Sequence, residues 1–456
     1  MNALSVLDRG RIIARPDYNR WLVPPAALAI HLCIGQAYAF SVFNLPLSKV
    51  GGWKLTELGW IFTLAIVFLG LAAAFAGRWV EDQGPRKAMF TAACFFGGGF
   101  LLSALGTSLH NIWLIYLGYG VIGGIGLGIG YISPVSTLIK WFPDRPGMAT
   151  GLAIMGFGGG ALIASPLSVF LMSRYASIAP EGVAPTFVTL GVVYFCFMLA
   201  GAIMVRLPAP DWRPQGFVAP ASPQKLITLR HVHVDQAVRT PQFYLLWWVL
   251  CLNVTAGIGV LGQASAMSQE VFPGRVSVVA AAGFVGLLSL FNMGGRFFWA
   301  SASDYLGRKN TYTVFFLLGA ILYAIVPSAG RAGSIALFVA CYCVILSMYG
   351  GGFSTIPAYL RDIFGTMHVG AIHGRLLTAW SAAGVFGPVI VNYMRQYQIA
   401  HGVAASAAYN TTMYVMASLL LVGFLCNLLM TPVHERHYYS IEEEIAVGAE
   451  APEVAV

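Results

Sequence analysis

The chain has 456 residues, 58% of them hydrophobic and only 10% charged, with a formal net charge of +8 and a mean hydropathy of +0.73. Soluble domains carry about 25% charged residues, so a sequence this apolar along its whole length excludes a soluble globular enzyme and requires lipid as its solvent. The excess of 26 Lys and Arg over 18 Asp and Glu sits in short loops between apolar runs, which points to membrane orientation rather than nucleic-acid binding.

Four arginines, Arg9, Arg11, Arg15 and Arg20, precede the first apolar run. That run is longer than a signal-peptide core and reads as a retained first helix. Twelve spans are predicted in all. The first six are Trp21–Leu47, Leu58–Val80, Ala88–Ser108, Ile112–Ile139, Gly147–Met172 and Thr186–Val205. The second six are Gln242–Met267, Val276–Ser301, Thr311–Pro327, Ser334–Leu360, Gly370–Tyr393 and Tyr409–Met430. Between the two sets lies the one long polar stretch. The expected organisation is a six-helix half at 1–206, a linker at 207–240, a second half at 241–431 and a tail at 432–456. The tail, with Glu442, Glu443 and Glu444, is acidic and reads as mobile. All seven cysteines lie inside apolar runs without a C-x-x-C pair, as small buried hydrophobes do.

Loop parity gives the orientation. Nineteen basic residues fall on the side of the termini, the linker and the loops after even-numbered helices; six fall on the other. The positive-inside rule then places both termini in the cytoplasm of a plasma (inner) membrane protein. The halves also repeat. Glu81 and Asp304, Gly84 and Gly307, Pro134 and Pro357, and Gly147 and Gly370 are each 223 residues apart. A fixed offset that matches acid, glycine and proline landmarks is an internal duplication. The fold class is therefore an all-α membrane protein of 12 transmembrane helices in two six-helix repeats.

The loop after the second span reads Gly77-Arg-Trp-Val-Glu81-Asp-Gln-Gly84-Pro-Arg86-Lys87, and that after the eighth reads Ala300-Ser-Ala-Ser-Asp304-Tyr-Leu-Gly307-Arg308-Lys309. Both resemble the G-x-x-x-D-x-x-G-[RK]-[RK] loop of the major facilitator superfamily, with Glu81 at the acid position and Ala300 at the opening glycine. The resemblance covers the whole chain and implies that Gly77, Glu81, Gly84, Arg86, Asp304, Gly307, Arg308 and Lys309 form a gate. In the plainer reading the basic residues only fix topology. Within the superfamily the chain resembles the oxalate:formate antiporter family, related to the monocarboxylate transporters. The residues that carry this are Gly35-Gln36-Ala37-Tyr38, Gln242-Phe243-Tyr244, Asn253-Val-Thr-Ala-Gly257, Asn292-Met-Gly-Gly295-Arg296 and Gly351-Gly352-Phe353-Ser354.

Arg296 is the one Lys or Arg well inside a predicted span, and no acid shares the membrane interior with it. An intramembrane cation is a candidate site for a carboxylate. Arg296 also lies eight residues before Asp304, close enough to a helix end to snorkel, and chemistry alone leaves both readings open. The family resemblance selects the first, with Arg296 gripping a substrate carboxylate. It also places Tyr38, Tyr131, Phe157, Tyr349, Phe353 and Trp380 on cavity-lining helices and puts Trp380 where the oxalate antiporters carry a second cation, a lysine. One fixed cation suits one negative charge, so a monocarboxylate such as formate, lactate or pyruvate is expected ahead of oxalate. Gln36 and Asn292 are candidate hydrogen-bonding groups, and His31 is either a packing histidine or a proton site. Gly120, Gly124 and Gly128 give helix 4 a small-residue face for close packing. No P-loop is present, and neither a cofactor nor a metal is expected. The reading is a monomeric secondary transporter, by antiport or proton symport, with the bilayer and a small carboxylate as partners. An oxalate/formate exchanger, a carrier of another small anion such as nitrate, and a non-transporting receptor on the same fold are the alternatives; an intramembrane enzyme would need a nucleophile–base pair, which the spans do not offer.

Overall fold

A computed structural model describes residues 6–209, 212–216 and 226–440. Twelve long helical segments run through them. The first half comprises α1 (Arg20–Gly51), α2 (Leu55–Gln83), α3 (Pro85–Ser108), α4 (Ile112–Trp141), α5 (Pro146–Tyr175) and α6 (Val183–Met204). The second comprises α7 (Pro241–Val271), α8 (Val278–Leu306), α9 (Arg308–Arg331), α10 (Ile335–Phe364), α11 (Val369–Ala400) and α12 (Asn410–Leu428). Eleven of these segments are long and apolar enough to cross a bilayer. The other, α8, is 29 residues long with Arg296 and Asp304 as its charges. Every predicted span corresponds to one helix. Large apolar side chains such as Phe75, Phe170 and Phe298 stay exposed on the outer faces, as expected where lipid is the neighbour.

Two of the helices are not regular. In α1 the stretch Gly35–Phe43 is wound as a 3-10 helix, and α11 is interrupted at Leu377 between Val369–Leu376 and Thr378–Ala400. Sequence reading gave both as continuous spans. A mid-helix 3-10 segment often marks a functional hinge, and interrupted helices in transporters border the binding site. Helix α4 packs as its glycines predict: a Cβ at Gly124 or Gly128 would lie 2.8 Å from Ala65 O or 2.2 Å from Leu69 O of α2.

The halves meet along two seams, α5 against α8 and α2 against α11. At the end that carries the termini and the signature loops, here the basic end, the acids of the two loops reach across. The Asp304 carboxylate accepts the backbone N–H groups of Gly147 and Met148 at 2.8 Å each, and Glu81 accepts that of Gly370 at 3.1 Å. Each acid thus caps the first turn of a helix in the opposite half, where the helix dipole favours negative charge. Thr150 Oγ1 adds a bond to Ser354 O at 2.6 Å. At the other end the ion pairs Lys49–Glu181 and Arg395–Glu270 each stay within one half.

The remaining signature residues work within their own halves. Gly84 and Gly307, at φ 86° and 80°, each reverse the chain in one residue between consecutive helices, a conformation that side chains resist. Arg86 donates to the carbonyls of Val6, Ile203 and Val205, and Lys309 to those of Leu428 and Met430. Both therefore satisfy carbonyls at or near the C-terminal ends of α6 and α12 rather than bridging the halves. Arg308 joins Asp304 (2.6 Å) to Asp362 (3.2 Å).

The linker and tail are partly docked, which corrects the expectation of a mobile tail for residues 431–440; Glu442, Glu443 and Glu444 lie outside the described residues. Val232 bridges Tyr438, Tyr439 N–H donates to His231 O at 3.0 Å, and Arg375 of α11 pairs with Asp235 at 2.6 Å. His368, in the loop before α11, bonds the Tyr439 hydroxyl at 3.0 Å and faces His233, with ring centroids 5.3 Å apart. Burial, then the neighbouring His233, holds the His368 imidazole down at about 4; His231 and Lys140 act the same way and Glu81 opposes them. The sign follows from linkage. Undocked, His368 takes up a proton below its usual value of about 6.5, whereas docked it resists until about 4, so docking weakens as pH falls between these values. Hydrogen exchange in residues 226–240 and 431–440 should quicken from pH 7.5 to 5, and His368→Gln should flatten the response. Equal protection at both pH values would contradict this.

Candidate functional site

Between the seams the helices converge on Arg296. The side chain is fully buried (0% exposed), so it does not snorkel. Nε donates to Asn292 Oδ1 at 3.0 Å, one turn earlier on the same face of α8. Nη1 and Nη2 have no hydrogen-bond partner among the described residues. The guanidinium carbon lies 5.0 Å from the Phe353 ring centre and 5.7 Å from that of Phe157, within cation–π range. Two absent side chains make the space. A Cβ at Gly158 of α5 would lie 3.0 Å from Arg296 Nε, and one at Gly350 of α10 would lie 2.6 Å from Asn292 Oδ1.

The six predicted aromatics form one cluster around this cation. Phe157 contacts Tyr38 (5.0 Å), Tyr131 (5.5 Å) and Trp380 (5.3 Å), each edge-on. Trp380 also touches Phe353 at 4.4 Å and Tyr131 at 5.4 Å, and Phe353 meets Tyr349 at 5.3 Å. Tyr38 and Tyr349 join the halves through their hydroxyls at 3.2 Å. The irregular stretch of α1 carries Tyr38, and Trp380 follows the interruption of α11 by three residues. The indole Nε1 of Trp380 and the hydroxyl of Tyr131, both buried, make no hydrogen bond among the described residues. One uncompensated guanidinium, an indole N–H and tyrosine hydroxyls in a water-poor aromatic shell form a receptor for a small anion with a single full charge.

Other candidates are placed differently. Gln36 accepts from Tyr119 Oη at 2.8 Å, and that ring packs on Phe40 and Phe100 inside the first half, so Gln36 belongs to a packing layer. His31 is buried beside Tyr131. Sequence reasoning missed Gly158, Gly350 and His373. The glycine runs Gly158–Gly160 and Gly350–Gly352 were the available signal for the first two. His373 stood in the first turn of a predicted span and read as a helix-end residue.

The sequence model of the Major Facilitator Superfamily matches residues 26–388. The oxalate:formate antiporter of Oxalobacter formigenes is 28% identical over 370 residues, which cover 81% of this chain and 83% of that protein. Apicoplast pyruvate carrier 1 of Toxoplasma gondii is 25% identical over 70% of this chain and 66% of its own length. Among solved structures, the Major Facilitator Superfamily transporter FucP in its outward conformation superimposes with a TM-score of 0.66 at 13% identity, over 91% of this chain and 100% of that one.

Proposed function

This chain belongs to the major facilitator superfamily and is a membrane transporter rather than an enzyme, and from that premise we propose that it carries a small monocarboxylate by alternating access. The observation that carries the proposal is Arg296, a buried guanidinium whose two terminal nitrogens are free among the described residues and face an aromatic shell contributed by both halves. A carboxylate fits that fork with two parallel charge-assisted hydrogen bonds. The aromatic shell and the indole N–H of Trp380 then complete the enclosure without a second fixed charge. The kinship with an oxalate:formate antiporter and a pyruvate carrier supports the carboxylate class. The basic end is assigned to the cytoplasm on the nineteen-to-six distribution of basic residues.

Uptake into proteoliposomes tests the proposal. Labelled formate, lactate or pyruvate should accumulate, faster with a monocarboxylate trapped inside when the mode is exchange and with an inward proton gradient when it is symport. A carrier that moves none of them, yet moves nitrate or an uncharged solute, overturns the carboxylate reading. In cells, a cysteine introduced at 228 should be inaccessible to an impermeant reagent applied from outside.

A further inference from the structure

Beside the Arg296 cluster lies a second polar group that carriage of a monoanion leaves unused. His31 of α1 and His373 of α11 both flank Tyr131 of α4, with ring centroids 5.3 and 5.9 Å from it. Both imidazoles are buried, at 0% and 1% exposure. His31 donates through Nδ1 to Ala27 O at 3.3 Å, which leaves Nε2 as a bare acceptor in the neutral ring. That Nε2, both ring nitrogens of His373 and the Tyr131 hydroxyl have no hydrogen-bond partner among the described residues. Four polar atoms left this way in one buried place are costly for packing alone.

The surroundings define what the group can bind. Tyr131 also contacts Phe157 and Trp380, so the histidines and Arg296 border the same aromatic cluster. The ionisable groups that bear on the pair are Arg296 of α8, whose field reaches His31, Tyr131 of α4, and the two histidines on each other. Helix α5 presents Gly156 to His31, and α2 presents Ala73 to Gly374 beside His373. The acid of α2 at this seam, Glu81, is held by Lys140 and the N–H of Gly370. His31 comes from one half and His373 from the other, so the pair is assembled only when the halves are closed.

Resting on the carboxylate reading above, we propose that His31 and His373 form a proton-binding site that supplies a second, removable positive charge. The transporter then carries a monocarboxylate alone and a short dicarboxylate together with one proton. Closure of the halves removes water from the site, so an enclosed charge must be balanced. Arg296 balances one carboxylate. A dianion leaves one negative charge over, and a proton taken from water onto an imidazole nitrogen of the pair cancels it; the proton leaves to water when the dianion does. Histidine suits this role because it changes charge in the physiological pH range.

The test compares formate and pyruvate with oxalate and fumarate, which are almost wholly dianionic above about pH 5.5, on the purified full-length protein between about pH 8 and about pH 5.5. Thermal shift reads binding, and a pH indicator in weak buffer reads proton uptake. Oxalate or fumarate affinity should rise by up to about tenfold per pH unit, with uptake approaching one proton per ligand; formate and pyruvate should take up none. In His31→Gln, His373→Gln and the double variant, the monocarboxylate shift should persist, which shows the fold intact, while dianion-linked proton uptake is lost. Trp380→Lys should bind the dianions with no proton uptake. Dianion binding without proton uptake in the natural protein, or uptake that survives in the double variant, overturns the proposal. Failure of all four anions to bind would instead remove the carboxylate reading on which it rests.

Discussion

Replacing Arg296 by glutamine is expected to abolish carboxylate binding and to raise the melting temperature of the ligand-free protein. The two effects have one origin. A guanidinium stays charged in any environment of this kind, and here it is enclosed with a single amide oxygen and two aromatic faces as partners among the described residues. Removing that charge relieves a burial cost of about 1–3 kcal/mol, since effective penalties for poorly compensated buried ions are of this order or larger. Glutamine can still bond Asn292, so the turn of α8 is kept. The bidentate grip contributes about 3–5 kcal/mol to binding, at about 1.5–3 kcal/mol for each hydrogen bond to a charged group, so affinity should fall by a factor of about a hundred to several thousand. Arg296→Lys keeps the charge and loses the fork, and should bind weakly without the gain in stability. Ligand-induced thermal shifts across the three proteins decide the matter. If Arg296→Gln retains the natural shift, the carboxylate is held elsewhere.

The second large effect is expected at the basic end. Asp304→Asn and Glu81→Gln should each move the protein toward opening there by about tenfold, and together by about a hundredfold. Each change removes the charge that caps a helix of the opposite half but keeps one acceptor oxygen, so each costs the closed arrangement about 1–2 kcal/mol. Because both caps break in the same motion, their contributions add in one equilibrium. Asp304→Asn leaves Arg308 paired with Asp362, so no buried cation is stranded. Distances between spin labels on the loops after α2 and α8 should lengthen at the basic end in this order. Arg395→Gln, which breaks an ion pair inside one half, is the control and should leave them unchanged. If the double variant matches the control, the caps do not hold the closure.

The spans, the duplication and the membership of the aromatic cluster were legible in the sequence, and the reasons differ. Lipid demands about 20 apolar residues per crossing, so hydropathy located each helix to within a few residues. The cluster was legible because family resemblance assigned Tyr38, Tyr131, Phe157, Tyr349, Phe353 and Trp380 to cavity-lining helices. What stayed hidden depends on rotation and hydrogen-bond register. A span apolar on every side gives no sign of which face a residue occupies, and so Gln36 was grouped with Tyr38 although it turns to Tyr119. Nor does hydropathy distinguish 3-10 from α winding, which hid the irregular stretch of α1 and the interruption at Leu377. Arg86 and Lys309 shared a motif with the capping acids, yet their side chains point back to α6 and α12.

The reciprocal caps have the geometry of an isologous contact, in which one patch meets a second copy of itself about a two-fold axis. The acid that ends α2 meets the glycine that starts α11, and 223 residues later in each case the acid that ends α8 meets the glycine that starts α5. Two identical six-helix units with this acid and this glycine would close on each other by the same pair of clasps. The cargo chemistry does not share that symmetry. Phe157 and Trp380 still correspond at the offset, but the position 223 residues before Arg296 is Ala73, and those matching His31 and His373 are Val254 and Thr150. Duplication thus yields a closure that works when both copies are alike, while the charge that selects a ligand is held by one copy alone. Substrate preference can therefore change at Arg296, Trp380 or the histidines without disturbing the machinery that opens and shuts the path.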